Sequence, residues 1–227
     1  MRRRSFILAA ASSGVALRAR AATPPTVLEL FTSEGCSSCP PADALLGVLA
    51  RQPGIIALAW HVDYWNGSGW HDPYSSSLAT QRQRSYAERL RDEVYTPALV
   101  VNGTRMVVGS DAAAIHAAIG AAGASGVSVS LRRTDDGVVA ETGPAGQSVT
   151  ALLVTYDPQR TTPVGGGENG GRRLAEYRIV REATLLETWD GAARRLSLPG
   201  IAPGRGAVLL LQSDDLRLCG AADLPAA

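Results

Sequence analysis

The sequence predicts an α/β domain followed by a small all-β, sandwich-like domain. Over the first half of the chain, apolar runs of strand length alternate with runs of helical spacing. The glycine- and alanine-rich residues 121–126 are typical of a linker. After them, short alternating runs are separated by turn residues, as expected of an antiparallel sandwich. We therefore predict one domain over residues 22–122 and a second over residues 123–227.

The first predicted domain has strands and helices in alternation and ends with a hairpin and a helix. Its predicted elements are a strand at 26–32, a helix at 42–51, a strand at 55–62, a helix at 77–91, two strands at 98–101 and 106–108, and a helix at 115–119. Asn102-Gly103 favours a two-residue hairpin turn. This turn requires positive φ at both positions, and asparagine and glycine adopt positive φ more readily than other residues. Asp111 is a suitable N-cap for the last helix.

The second predicted domain consists of strands alone. They cover residues 127–131, 138–142, 149–156, 177–189, 193–198, 207–212 and 216–220.

Length and charge exclude two broad classes. The chain has 227 residues, 45% of them hydrophobic and 19% charged, so it can bury a core and is not a disordered polyelectrolyte. The formal net charge is +1, which argues against a dedicated nucleic-acid binder.

The first 21 residues have the order of a secretory signal peptide. Residues 2–4 are arginine, residues 6–17 are largely apolar, and Ala19-Arg20-Ala21 provides small residues at a cleavage site. The apolar run is too short for a stable membrane anchor, so no membrane span is expected after cleavage. We predict a periplasmic or secreted protein, exported by either the Sec or the twin-arginine route.

Cys36 and Cys39 are separated by two residues and lie where the first predicted strand turns into a helix. Helix-terminal N–H groups lower the pKa of a thiol at the first cysteine, and the spacing lets Cys39 resolve a mixed disulfide formed at Cys36. A zinc site with four cysteine ligands is excluded, because the chain has three cysteines. A static local disulfide remains the alternative. The third cysteine, Cys219, is predicted to be a buried apolar residue.

A second motif, Thr96-Pro97, immediately precedes the third predicted strand. With Cys36 and Cys39 upstream, the chain here resembles the thioredoxin superfamily, in which a cis-proline before that strand faces the redox pair. The resemblance implies that Pro97 faces the cysteines and that the backbone beside it, at Thr96, contacts substrate. The chain departs from thioredoxins at Leu30, where they carry a buried acid.

A closer resemblance is to an exported bacterial domain-of-unknown-function family with a thioredoxin-like fold. It is carried by the segments VLELFTSEGCSSCPPAD, WHVDYWNGSGWHDPYS, YTPALVVNG and GENGGRRL. The resemblance implies a thioredoxin-like fold for residues 22–122 and names no activity.

Residues 60–74 are rich in aromatic side chains and follow the second predicted strand. They should emerge at the same end of the sheet as Cys36, where Tyr64, Trp65 and Trp70 could form a substrate pocket over the cysteines. The alternative is a hydrophobic cluster that stiffens a long loop.

Two further motifs invite a ligand. Two thiolates and an imidazole suit Cu(I), so Cys36, Cys39 and His61 are candidate copper ligands, although a lone histidine at a strand end is more often hydrogen-bonded. Residues 165–170 satisfy G-x-G-x-x-G but lack a preceding βαβ context, so we predict a flexible loop between strands there.

Together these observations predict an exported protein that exchanges thiols and disulfides with an unknown exported protein or a small thiol, without a cofactor. A copper carrier and a non-catalytic binding module that use the same site are the alternatives.

Overall fold

The computed structural model describes residues 24–123, 126–135 and 137–227. The predicted signal peptide at residues 1–21 lies outside the described residues, as does part of the predicted linker.

The first half of the chain has the elements that periodicity predicts. They are β1 (Thr26–Thr32), α1 (Pro40–Leu49), β2 (Ile55–His61), α2 (Ser77–Leu90), β3 (Ala98–Val101), β4 (Arg105–Val108) and α3 (Ala112–Ala121). Asn102 and Gly103 form the tight turn between β3 and β4 with φ of 48° and 66°. Asp111 caps α3, because its carboxylate accepts a hydrogen bond from the Ala114 N–H at 2.9 Å.

The second half is built from strands and one short turn of 3-10 helix. The strands are β5 (Val129–Thr134), β6 (Gly137–Thr142), β7 (Val149–Pro163), β8 (Arg173–Trp189), β9 (Arg194–Leu198), β10 (Gly206–Gln212) and β11 (Leu218–Leu224). The 3-10 turn, Gly167–Asn169, lies at the tip of the hairpin that joins β7 to β8.

The predicted fold class, a thioredoxin-like α/β domain followed by a separate all-β domain, is wrong. Strands from both halves form one mixed eight-stranded sheet in the order β11-β10-β7-β8-β2-β1-β3-β4. The two halves join where β8 runs parallel to β2, with Ile179 opposite Ala59. A smaller sheet of three strands has the order β5-β6-β9.

The shared sheet has a physical reason in the core that it covers. Strands β7 and β8 contain 15 and 17 residues, longer than the predicted 8 and 13, and β8 pairs with β2 at Ile179, a position inside the predicted strand. A single hydrophobic core on the α2 side then contains Phe31 and Tyr86 from the first half together with Val154 and Leu210 from the second. Separating the halves would expose that core to water.

Helix α1 covers the opposite face of the sheet and also contacts β8. Leu28 and Leu30 of β1 pack with Leu46 of α1. Gly47 of α1 lies against the ring of Tyr177 of β8, so closely that a side chain at Gly47 would overlap the ring. This packing brings β8 and the hairpin tip next to the start of α1.

Candidate functional site

Cys36 and Cys39 form a disulfide at the start of α1, with their Cα atoms 5.5 Å apart. Cys39 is the N-cap of the helix, and both cysteines are buried, with relative exposures of 1% and 0%. Ser37 and Ser38 between them are exposed. The predicted placement of the pair between a strand and a helix is confirmed.

The amides at the start of α1 differ from the sequence-based expectation. Pro40 and Pro41 occupy the first two helix positions and have no N–H. The next two N–H groups, of Ala42 and Asp43, both donate to the Cys39 carbonyl, at 2.8 and 3.1 Å. Each N–H of these four positions is therefore missing or already bonded, so the helix terminus does not provide the donors expected to stabilise a thiolate at Cys36.

Thr96 and Pro97 lie beside the pair. The Ser38 hydroxyl donates to the Thr96 carbonyl at 3.5 Å, and the same hydroxyl oxygen is 3.3 Å from Cys36 Sγ. The Thr96–Pro97 peptide bond is cis. Pro97 and Ala42 of α1 meet across Gly109, where an added Cβ would lie 3.2 and 3.3 Å from their Cβ atoms.

The aromatic segment contributes Trp65 and Tyr64 to the surroundings of Thr96. The Trp65 indole N–H donates to Thr96 Oγ1 at 2.8 Å. Trp65 also packs against Gly35, where an added Cβ would lie 3.1 Å from Trp65 Cβ. Tyr64 lies beside Trp65, with ring centroids 6.5 Å apart, and its hydroxyl donates to Gln83 of α2 at 3.2 Å.

Trp70 lies between the loop before the cysteines and the hairpin tip, and contacts both. Its indole N–H donates to Glu34 Oε2 at 2.7 Å, and Glu34 is fully buried. Its ring packs on the glycine-rich hairpin tip, where an added Cβ at Gly165 or Gly167 would lie 3.0 or 3.1 Å from a Trp70 atom. Glycine is required at Gly167 for a second reason, since its φ is +65°.

The hairpin tip supplies two functional residues that the sequence analysis missed. The buried side-chain amide of Asn169 donates to the carbonyls of Glu34 and Cys36, both at 2.9 Å. The Ser37 N–H donates to Glu168 Oε2 at 2.9 Å. The predicted flexible loop thus contacts the cysteine loop directly. The segment GENGGRRL, one of those that carry the family resemblance, was the available signal.

A buried ionic cluster lies next to this loop. His61 Nδ1 is 2.7 Å from Asp72 Oδ2, and the same carboxylate oxygen accepts the Glu34 N–H at 2.9 Å. On the other side of the ring, His61 Nε2 is 3.9 Å from Glu176 Oε1. All four of these residues are at most 1% exposed.

Burial and pairing set the charges in the cluster. Burial lowers the pKa of His61, but the charge and hydrogen bond of Asp72, with the nearby acidic groups, together raise this pKa to about 9. Burial raises the pKa of Asp72, but the charge and hydrogen bond of His61 and two backbone N–H donors together lower it below its usual value. Burial raises the pKa of Glu176 to about 9 and that of Asp43 to about 6. At neutral pH the cluster contains an ionised His61–Asp72 pair beside a protonated Glu176.

His61, the third predicted copper ligand, faces carboxylates with both ring nitrogens. Within the described residues, no three Cys, His, Asp or Glu side chains are grouped as metal ligands. The copper alternative stays a prediction.

A family model matches residues 27–212, which include the cysteine pair, the aromatic segment and the hairpin tip. The family is described as "Protein of unknown function (DUF1223)". The chain belongs to the DUF1223 family. No curated protein matches it at a significant level.

Two solved structures are similar to this DUF1223 protein. The crystal structure of protein AGR_C_4864 from Agrobacterium tumefaciens is 29% identical, and the match covers 89% of this chain and 94% of that one with a TM-score of 0.81. HBP35 of Porphyromonas gingivalis is 14% identical over 90% of this chain and 76% of that one, with a TM-score of 0.57. The second likeness is one of fold alone.

Across residues 24–123, 126–135 and 137–227, no helix is long and apolar enough to cross a bilayer.

Proposed function

We propose that this protein exchanges thiols and disulfides through Cys36 and Cys39, acting on protein or small-thiol partners. The observation that carries the proposal is the disulfide between two cysteines separated by two residues at the start of α1. This spacing allows one sulfur to form a mixed disulfide while the other stays close enough to resolve it.

The exchange takes two steps, each of which forms one S–S bond and breaks another. A partner thiolate attacks Cys36 Sγ, a new S–S bond forms, and the electron pair of the broken bond moves to Cys39 Sγ, which takes up a proton. A second partner thiolate then attacks the partner sulfur of the mixed disulfide, and Cys36 leaves and is protonated. Two partner thiols are thereby oxidised to a disulfide, and the pair is reduced to two thiols. The same steps in reverse reduce a partner disulfide.

Neighbouring groups support Cys36 as the sulfur that is attacked. Ser38 Oγ lies 3.3 Å from Cys36 Sγ and is available to hydrogen-bond the sulfur when it leaves as a thiolate. Both cysteines are buried, but the exposed Ser38 gives the Cys36 sulfur a neighbour at the surface. Trp65 and the backbone of Thr96 lie on the same side as Ser38 and offer apolar surface and a carbonyl to a partner.

The test is thiol trapping in a Cys219→Ser background, so that only the pair titrates. The protein is equilibrated at graded glutathione potentials and its free thiols are alkylated and counted. We expect one two-electron transition at a potential above about −300 mV, whereas a structural disulfide resists reduction beyond that value. A pair that remains oxidised throughout this range contradicts the proposal. The additional replacement Cys36→Ser provides the baseline.

Partners can be identified with the variant Cys39→Ala, which lacks the resolving thiol. Expressed with its native leader, it should retain partners covalently on Cys36, and these partners should be proteins or thiols outside the cytoplasm. The matched control is Cys36→Ala/Cys39→Ala, which should retain none.

A further inference from the structure

The amide of Ser37 directly follows Cys36 and is a donor that a thiolate at Cys36 would need. In pairs of this spacing, N–H groups after the first cysteine stabilise its thiolate. The start of α1 cannot substitute, because Pro40 and Pro41 have no N–H and the Cys39 N–H donates to the Cys36 carbonyl at 3.2 Å. The state of the Ser37 amide therefore matters more here than in a helix with free terminal amides.

Glu168 occupies this amide. The Ser37 N–H donates to Glu168 Oε2 at 2.9 Å. Hydrogen bonding from the Ser37 side chain, and then from this N–H, lowers the pKa of Glu168, so its carboxylate is ionised at neutral pH. Glu168 comes from the β7–β8 hairpin, 131 residues away in the sequence.

The position of Glu168 is fixed by its neighbours. Asn169, fully buried, donates to the carbonyls of Glu34 and Cys36 at 2.9 Å. Gly167, on the other side, packs against Trp70. These contacts hold the backbone on both sides of Glu168 against the cysteine loop, so its carboxylate stays within reach of the Ser37 N–H.

We propose that Glu168 is a positioning residue that suppresses ionisation of Cys36, because its carboxylate occupies the Ser37 amide and brings its negative charge to the residue that follows Cys36. This inference rests on the proposed thiol–disulfide exchange and concerns its regulation. A partner that displaces Glu168 frees the amide and raises the reactivity of Cys36 at the moment of docking. Without a partner, the reduced pair is held as thiols and is protected from adventitious alkylation and oxidation.

Other charged groups also lie around the cysteine loop. They come from the turn before the pair, from α1, from the end of β2, from the aromatic segment and from β8, and they are Glu34, Asp43, His61, Asp72 and Glu176. Arg172 lies at the base of the hairpin tip, with its guanidinium 2.6 Å from Asn169 Oδ1. All six side chains are present in every Glu168 variant, so a difference in Cys36 reactivity between the variants reports the effect of Glu168 alone.

The experiment measures the alkylation rate of Cys36 against pH in the full chain. The parent is Cys39→Ala/Cys219→Ser, in which Cys36 is the single thiol. Glu168→Gln removes the charge and keeps an acceptor for Ser37, whereas Glu168→Ala removes both. Glu88→Gln, on the exposed side of α2, makes the same charge change away from the site.

We expect the midpoint of the pH profile to fall in Glu168→Gln and to fall further in Glu168→Ala. At pH 7 the rate should rise about two- to fivefold, the size of an exposed charge interaction. Glu88→Gln should match the parent. An unchanged midpoint in Glu168→Ala overturns the inference. So does a rate that rises equally at every pH, because that result means that the variant only uncovers the sulfur.

This measurement is independent of the redox test. The alkylation rate of Cys36 can be measured without a partner and without a reversible disulfide, so it gives a result even if the glutathione titration shows no transition. A redox transition with unchanged midpoints rejects the role of Glu168 and leaves the exchange reaction intact.

Discussion

The side-chain amide of Asn169 donates to the carbonyl oxygen of Cys36 across 133 residues of sequence, at 2.9 Å. The same nitrogen donates to the Glu34 carbonyl at 2.9 Å. One buried side chain from the β7–β8 hairpin therefore holds the backbone of the cysteine loop at two positions, Glu34 and Cys36. Because the fold joins both halves of the chain in one sheet, this contact is part of the core architecture of the site.

Replacing Asn169 should loosen the cysteine loop without unfolding the protein. Asn169→Ala removes three hydrogen bonds and leaves the Glu34 carbonyl without its donor, whereas the Cys36 carbonyl keeps the Cys39 N–H, so we expect a cost of about 1–3 kcal/mol. Urea denaturation measures this loss. Small thiols should also reduce the pair faster in the variant. Gln52→Ala, which truncates an exposed amide side chain, should leave both quantities unchanged. Equal stability of Asn169→Ala and the wild type would show that the Glu34 carbonyl finds another donor.

The tryptophans beside the pair should report its redox state. The Trp70 indole is bonded to Glu34 and the Trp65 indole to Thr96, so movement of the loop on reduction should alter their surroundings. We expect tryptophan emission to change on reduction. Trp70→Phe should reduce that change and alter the alkylation rate of Cys36, because it removes the donor to Glu34.

Trp189→Phe is the control for this experiment. Trp189 also has a bonded indole N–H, but its partner is the Ala192 carbonyl, beyond the end of β8. Its loss should leave the redox-dependent change in place. If emission is the same in both states and alkylation is indifferent to Trp70, the aromatic segment is a stiffened loop and not part of the site.

The buried cluster should make stability fall as pH rises. Glu176 keeps its proton in the folded state up to a pKa of about 9, whereas an ordinary glutamate loses it near 4.5, so the folded state binds the extra proton between these values. His61, raised from 6.5 to about 9, acts in the same direction over its own range. The free energy of unfolding should therefore decline between pH 6 and pH 9.

Glu176→Gln tests the contribution of this carboxyl. Glutamine imitates the neutral acid, so the variant should be close to wild type at pH 5 and more stable at pH 8, by up to about 4 kcal/mol. Chemical denaturation at several pH values measures the difference, and Glu88→Gln should run parallel to the wild type. Parallel curves for Glu176→Gln and the wild type would mean that Glu176 is ionised in the folded protein.

Local patterns in the sequence determined much of the secondary structure and part of the site. The Asn102-Gly103 turn and the Asp111 cap follow from backbone preferences of single residues. The position of Cys36 and Cys39 at the start of α1 follows from the change of periodicity there. These features depend on neighbours within a few residues, which is the range that a sequence pattern reports.

The tertiary structure decided which distant segments meet. Strand alternation separates Glu29 from the face of Leu28 and Leu30, but only the fold places Arg82 within 2.6 Å of its carboxylate. Likewise, the pattern of β8 predicts a strand but not that it pairs with β2, a contact that sets Asn169 on the cysteine loop. Hydrophobic periodicity specifies which face of an element is buried. Which neighbour that face packs against depends on how the apolar surface of the whole chain is buried. No local segment contains this information, because it depends on all the elements together.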